Sequence, residues 1–118
     1  MALVEAIRHE STRAAVAFAN GELERAFAHY ERMHVLSQQL TGWHVLSHLG
    51  MLRVGWRRRD WREVLGQLAR IPAATLFSKL WVPLGNTGGA NVSAFAPMPL
   101  PADIEAVFAA ERAGHGQR

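Results

Sequence analysis

Apolar residues recur every three to four positions through the first two thirds of the chain, a spacing that predicts amphipathic helices. Breaks at Asn20-Gly21 and Thr41-Gly42 separate the first three helices, because glycine readily adopts the left-handed conformation that often ends a helix. Asp60 is placed to cap a fourth helix. The side chains predicted to face inward are, in chain order, Val4, Ile7, Ser11, Ala14, Ala15, Phe18, Leu23, Ala26, Phe27, Tyr30, Met33, His34, Val45, Leu49, Leu52, Trp56, Trp61, Val64, Leu65, Leu68 and Ile71.

The four predicted helices contain an internal repeat. Residues 21–32 align with residues 59–70, and each copy follows a turn and carries an acidic residue in its first helical turn. We therefore predict an all-α fold with two antiparallel helical hairpins over residues 3–71. The pattern of small, aromatic and apolar residues in the first copy resembles the second helix of a tetratricopeptide repeat, although stable arrays usually have three or more repeats. The residues that carry this resemblance are Ala26, Tyr30 and Met33.

Beyond the hairpins the periodicity weakens. Pro72 is expected to end the fourth helix or to restart it as a short helix over residues 72–82. Residues 83–100 are rich in glycine and proline and lack a period, which predicts a long ordered loop held against the helices by apolar side chains. Residues 101–113 predict a short C-terminal helix. At this length, residues 1–118 are expected to form one helical domain.

Composition narrows the functional classes. The chain has no cysteine, so a metal ion would have to be held by histidine and carboxylate groups. No stretch approaches the ~20 apolar residues of a membrane span, and we expect a cytoplasmic protein without a membrane partner. A net charge of +3 is mild for 118 residues and disfavours a nucleic-acid partner.

Three histidines carry the clearest indication of chemistry. In a hairpin that turns near residue 41, His34 and His48 lie level, each about 10 Å from the turn at ~1.5 Å of rise per residue. His44 lies one turn nearer the loop on the same face as His48, and Glu31 lies one turn farther, beside His34. We predict a site for Zn²⁺ or another divalent transition metal, with the three histidines as ligands and Glu31 as a fourth.

The use of such a site is left open by the sequence. A bound metal could be handled as cargo, or could activate a water molecule in catalysis, so the sequence does not decide whether the protein is an enzyme. A single Glu-x-x-His pair argues against a di-iron enzyme. The competing interpretation has no cofactor: the histidines are structural, and the protein is a tetratricopeptide-like module that binds another protein.

Two further segments are candidate binding surfaces. One is a basic and aromatic patch that could contact a protein partner, although cations at a helix C-terminus also have a structural use. Its residues are Arg53, Trp56, Arg57, Arg58, Arg59 and Trp61. The other is a lid over a pocket, with a packed structural loop as the alternative. Its residues are Asn86, Thr87, Asn91 and Ser93. The sequence also leaves a homo-oligomer open.

Three segments together resemble a known family. They are residues 28–36 (AHYERMHVL), 51–60 (MLRVGWRRRD) and 85–95 (GNTGGANVSAF). They are similar to a family of small bacterial proteins that is defined only as a domain of unknown function. The resemblance spans nearly the whole chain and implies a small helical cytoplasmic protein, with no activity to transfer.

Overall fold

Five α-helices make up the protein in the computed structural model, which describes residues 2–77, 86–90, 92 and 97–116. They are α1 (Ala2–Ala19), α2 (Leu23–Ser37), α3 (Thr41–Arg58), α4 (Trp61–Phe77) and α5 (Ala102–Gly116). The described part of the chain contains no strand, so the predicted all-α class is confirmed. Among the described residues, no helix is both long and apolar enough to cross a bilayer.

The first four helices pack in chain order, α1 on α2, α2 on α3 and α3 on α4, while α5 returns to pack on α1. The apolar core lies mainly between α1, α2 and α3. Its most buried members are Ile7, Ala14, Ala26, Met33, Met51 and Val54, each at most 1% exposed. On α1 and α2 the buried apolar residues recur with helical spacing, so these two helices follow the predicted pattern of inward-facing side chains.

The turns between helices follow from local chemistry. Gly21 has a φ of 75°, which confirms its predicted role at the end of α1. After α3 the chain turns at Arg59, whose φ is 58° and whose N–H donates to the Trp56 carbonyl oxygen. Asp60 then caps α4, because its Oδ1 accepts a hydrogen bond from the Glu63 N–H at 3.2 Å.

Close contact between α2 and α3 depends on a glycine. A Cβ atom on Gly50 would overlap the Tyr30 ring, so only glycine permits this separation of the helices. Tyr30 lies one turn before His34 on α2, and Gly50 follows His48 on α3. The same close approach therefore brings the histidines of the two helices within reach of each other.

At Pro72 the structure differs from the expected break. α4 continues through Pro72 to Phe77, so residues 72–77 extend α4 and do not start a separate helix. Proline removes the hydrogen bond to the carbonyl of Leu68, but both residues lie on the exposed side of α4, where water can hydrate that carbonyl. Residues 78–82 lie outside the described residues. The described parts of residues 83–100 are non-helical, as predicted.

The predicted inward faces of α3 and α4 are only partly correct, since Val64 is buried as predicted but several other side chains are not. Of the side chains expected inside, Trp56 is 64% exposed, Trp61 51%, Leu65 68% and Leu68 53%. Polar side chains occupy the interior instead, and they are listed here: His44, Ser47, His48, Glu63 and Gln67. Both faces of each helix carry suitably spaced residues, and the polar set is preferred inside because its members hydrogen-bond to each other.

Candidate metal centre

Three imidazole rings meet in the interior between α2 and α3. His34 Nε2 lies 2.9 Å from His44 Nε2, and His48 Nε2 lies 3.2 Å from His44 Nε2. One nitrogen from each of the three rings falls within 4.8 Å of the others. The rings are 3%, 6% and 3% exposed for His34, His44 and His48. The predicted convergence of these histidines on one point is therefore confirmed.

The outward nitrogens of two of these rings are already committed. His34 Nδ1 lies 2.7 Å from the carbonyl oxygen of Asn86, which can only accept, so this nitrogen carries the hydrogen. His48 Nδ1 lies 2.6 Å from Gln67 Oε1 and also donates. A neutral imidazole carries one N–H hydrogen. The Nε2 atoms of His34 and His48 therefore present lone pairs toward His44.

His44 cannot satisfy both lone pairs. Its Nε2 can carry one hydrogen and donate it to His34 or to His48, which leaves the other gap without a proton. Its Nδ1 is buried and has no hydrogen-bond partner among the described residues. In the neutral state the three rings thus present more electron pairs than hydrogen atoms. An additional cation at the centre would remove this imbalance.

That cation is not a proton near neutral pH. Burial lowers the pKa of His44 to about 4, and burial together with repulsion from His44 lowers the pKa of His48 to about 4. The pKa of His34 also falls well below its ordinary value, first through burial and then through repulsion from His48 and His44. All three rings are therefore neutral at pH 7, the form in which imidazole coordinates a metal.

Polar side chains on α4, which packs against α3, hydrogen-bond to the histidine cluster. Gln67 donates from Nε2 to Glu63 Oε2 at 3.0 Å and to the Gly88 carbonyl oxygen at 2.8 Å. These two bonds orient the amide so that Oε1 faces His48. Glu63 Oε2 also accepts from the Ala90 N–H at 2.7 Å, which ties the loop to the same helix. Gln67 is fully buried, and its hydrogen bonds position its amide beside His48.

Residues 86–90 cover the His34 ring. A Cβ atom on Gly88, whose φ is 83°, would lie 2.6 Å from the His34 ring, so only glycine fits over the ring. The Gly88 N–H donates to Asn86 Oδ1 at 2.9 Å, which holds the loop in shape. Of the predicted lid, Asn86 thus lies against the cluster, and Thr87 lies near Glu31. Asn91 and Ser93 are outside the described residues.

Glu31 does not belong to the group of ligand atoms within 4.8 Å, which is formed by the three histidines. Burial raises the pKa of its carboxyl, the nearby Thr87 hydroxyl lowers it, and repulsion from Glu63 raises it again. Its use as a fourth ligand stays a prediction. On α4, Arg70 donates from Nη2 to the Val92 carbonyl oxygen at 3.1 Å, and its Nε is buried without a described partner.

The basic and aromatic patch lies away from this centre, at the end of α3. The Arg53 and Arg57 guanidinium carbons lie 4.7 and 5.0 Å from the centre of the Phe18 ring, which joins α3 to the end of α1. Trp56 and Trp61 pack edge to face with ring centres 5.4 Å apart. Arg58 and Arg59 are exposed. Part of the patch is therefore structural, and a partner for it stays a prediction.

Reasoning from sequence missed the residues that orient the histidines. Glu63, Gln67 and Arg70 recur with helical spacing on α4 and form a polar stripe between apolar ones. That stripe was visible in the sequence and could have been assigned to the interior. The roles of Asn86 and Gly88 were not visible, since they act through a backbone carbonyl and through the lack of a side chain.

Comparison with known proteins places the chain in a family. Residues 1–108 match the model of a family described as a protein of unknown function (DUF3703), and the chain belongs to this family. No curated protein and no solved structure matches the chain. The family resemblance found in the sequence is thereby confirmed, and the function has to be argued from the geometry of the histidine cluster.

Proposed function

We propose that this protein binds one divalent transition-metal ion, Zn²⁺ or a neighbouring late first-row metal, through Nε2 of His34, His44 and His48. The observation that carries the proposal is the convergence of three neutral imidazoles with too few hydrogen atoms to pair their lone pairs. A divalent cation accepts all three electron pairs at once. Nitrogen ligands without any thiolate suit Zn²⁺, Cu²⁺, Ni²⁺ and Co²⁺.

The spacing of the nitrogens supports this assignment. With metal–nitrogen bonds of about 2.0–2.1 Å, tetrahedral ligands lie roughly 3.4 Å apart. The two measured separations, 2.9 and 3.2 Å, need only a few tenths of an ångström of expansion to reach that value. Rotation about the side-chain bonds of His44, whose Nδ1 has no described partner to lose, supplies that adjustment.

The surroundings of the rings support it as well. Metal-bound histidines usually donate their second N–H to a carbonyl or carboxylate oxygen, which sets the tautomer and the ring orientation. His34 and His48 already have such acceptors in the Asn86 carbonyl and the Gln67 amide. Residues of α4 and of one loop thus hold the His34 and His48 rings in the binding tautomer before any metal arrives.

We assign the site to metal handling, that is, to sequestering or passing on the ion. All three ligands are buried, and residues 86–90 cover His34, so a metal there is separated from bulk solvent. A fourth position is left for water, for Glu31 or for a small exogenous ligand. Catalysis would require a substrate at that position, and nothing about the cluster favours a particular substrate.

The alternative function is a tetratricopeptide-like interaction module without metal. The observation that favours it is the exposure of Trp56 and Trp61 beside a row of arginines. It does not account for the histidine nitrogens whose lone pairs face each other without enough hydrogen atoms to pair them. The metal proposal has the more specific support.

The test is direct measurement of metal affinity. The untagged protein is stripped with a chelator and titrated with Zn²⁺ and Co²⁺, with a competing chromophoric chelator for tight binding. We expect one ion per chain and a dissociation constant below about 1 µM, a value ordinary for a preorganised histidine site. Bound Co²⁺ should give the intense visible absorption of four-coordinate geometry.

Matched variants identify the ligands. His48→Ala should weaken binding at least 100-fold, whereas His9→Ala removes an exposed histidine of α1 and should leave the affinity unchanged. Circular dichroism confirms that both variants are folded. Equal affinity in the two variants, or no binding below about 10 µM in the unmodified protein, would overturn the proposal.

A further inference from the structure

The outer face of α4 is apolar and faces solvent. We call the exposed stripe of Trp61, Leu65, Leu68, Pro72 and Leu76 the outer face of α4. Its residues recur with helical spacing. Three of its leucines are 53 to 69% exposed, and Trp61 is 51% exposed. Trp56 of α3, in contact with Trp61, extends the surface at one end. Contiguous surfaces of this kind on soluble proteins usually mark contact sites.

This face also lacks charge. From residue 64 to the end of α4 the sequence contains a single charged residue, Arg70, and its side chain is turned to the loop at the Val92 carbonyl. A water-facing helix surface normally carries charged residues over most of its area. The absence of charge along this stripe indicates that the face is covered in the working protein.

The opposite end of the helical stack is built differently. There α1 is covered in part by α5, and the exposed positions of α1 include Glu5, Arg8, His9 and Arg13. A stack of helices needs a polar outer surface at each terminal helix to stay soluble as a single chain. α1 meets this requirement and α4 does not, so the uncovered side of the stack is the α4 side.

We propose that a second copy of this chain covers the outer face of α4, with the two α4 helices antiparallel about a two-fold axis. Isologous contacts of this kind require only that one surface be complementary to itself, and two-fold dimers are the commonest assemblies. Pairing around Leu68 and Ala69 places Trp61 of each copy against Leu76 of the other. The bulky Trp61 of each copy then faces the smaller Leu76 of the other, and the small Ala69 lies at the centre of the interface.

Charge fixes this orientation. Arg58, Arg59 and Arg62 cluster at the start of α4 and are exposed. In a parallel pair the two clusters would face each other and repel. In the antiparallel pair they lie at opposite ends, about 20 Å apart at ~1.5 Å per residue, which exceeds the screening length of about 8 Å at physiological salt.

The available area fits a modest dimer. Half-exposed tryptophans and leucines each present on the order of 100 Å², so the face with Trp56 would bury roughly 600 Å² per copy, or about 1,200 Å² in the pair. This is the lower end of the range for specific interfaces, and we expect a dissociation constant in the micromolar range. Metal is not involved, because His48 contacts the buried Gln67 on the inner side of α4, away from the outer face.

The experiment is sedimentation equilibrium of the full chain from about 1 to 500 µM, with and without a chelator. We expect a shift from 13.1 kDa to about twice that mass, unchanged by the chelator. Leu65→Glu together with Leu68→Glu should remain monomeric over the whole range. The control is Val16→Glu, which places the same charge at a 56% exposed apolar residue of α1 and should leave the dimer intact.

Each alternative result decides against the proposal. A monomer at 500 µM means that the face has another occupant, and a dimer that needs metal means that the contact lies elsewhere. The same conclusion follows if Val16→Glu dissociates the dimer as strongly as the α4 variants. If the double glutamate variant does not fold by circular dichroism, Leu68→Ala replaces it and should weaken the dimer at least tenfold.

Discussion

The two helical hairpins of this protein differ in how much polar surface they bury. In the first, α1 and α2 bury mainly apolar side chains such as Ile7, Ala14 and Met33, together with Glu10. In the second, α3 and α4 bury apolar side chains such as Met51 beside histidines, Glu63 and Gln67, and several of their leucines and tryptophans are exposed. The chain thus combines an ordinary apolar core with a polar interior that lies directly beside it.

Different interactions therefore stabilise the two hairpins. Apolar burial stabilises the first hairpin by about 25 cal/mol per Å². Inside the second, each hydrogen bond adds a net ~1 kcal/mol, and unpaired lone pairs among the histidines reduce that gain. The second hairpin is therefore the one whose stability should rise when a metal or a second chain binds.

Lowering the pH should destabilise the second hairpin before the first, and this is the largest effect we expect. His44 and His48 have pKa values of about 4 in the folded protein, against an ordinary 6.5, so the unfolded chain binds more protons between these values. Stability is full above pH 6.5 and falls as the pH drops toward 4. At pH 5 the loss is about 2 kcal/mol for each of the two rings.

The first hairpin should respond at lower pH. Burial alone would raise the pKa of Glu10, but hydrogen bonds from His29 at 2.6 Å and Arg32 at 2.9 Å outweigh burial, and its pKa is lowered below 4.5. That stability is lost only as the pH falls through this lowered value. Hydrogen exchange of the metal-free protein at pH 7 and 5, corrected for intrinsic rates, should show lost protection in α3 and α4 before α1. Uniform loss would contradict the comparison.

Truncating one inner and one outer side chain of the second hairpin tests which side of each helix faces inward. Met51 is fully buried and Leu65 is 68% exposed. We expect Met51→Ala to lower the free energy of unfolding by about 2–5 kcal/mol, and Leu65→Ala to change it by less than about 0.5 kcal/mol. Urea denaturation at low protein concentration, where the chain is monomeric, measures both. Similar losses would show that Leu65 faces inward, as its periodicity had indicated.

A smaller effect should come from the residue that orients His48. Gln67→Leu removes the acceptor of the His48 Nδ1–H and should weaken metal binding 10- to 100-fold, which is typical of such supporting residues. Leu65→Ala changes an exposed residue of the same helix and serves as the control. Competition with a chromophoric chelator gives both affinities. If Gln67→Leu binds the metal as tightly as Leu65→Ala, Gln67 does not orient the ligand.

Much of the fold followed from the sequence. Periodic apolar residues identified the first four helices, Gly21 and Asp60 marked where helices end and begin, and the final helix followed its predicted start closely. The clustering of His34, His44 and His48 followed as well, because their spacing across one turn permits only a few relative positions, whereas Glu31 as a ligand stays a prediction. These features depend on residues that are near each other in the chain, where helical geometry determines the arrangement.

The tertiary structure alone decided which side of α3 and α4 faces inward. Leucines and histidines on these helices both recur with helical spacing, and periodicity cannot rank two such stripes. The histidines face inward because α2 supplies a third ring, and because Gln67 and the Asn86 carbonyl supply acceptors from distant parts of the chain. Hydrogen bonds between residues far apart in sequence settle the orientation, and the sequence determined only that both choices were available.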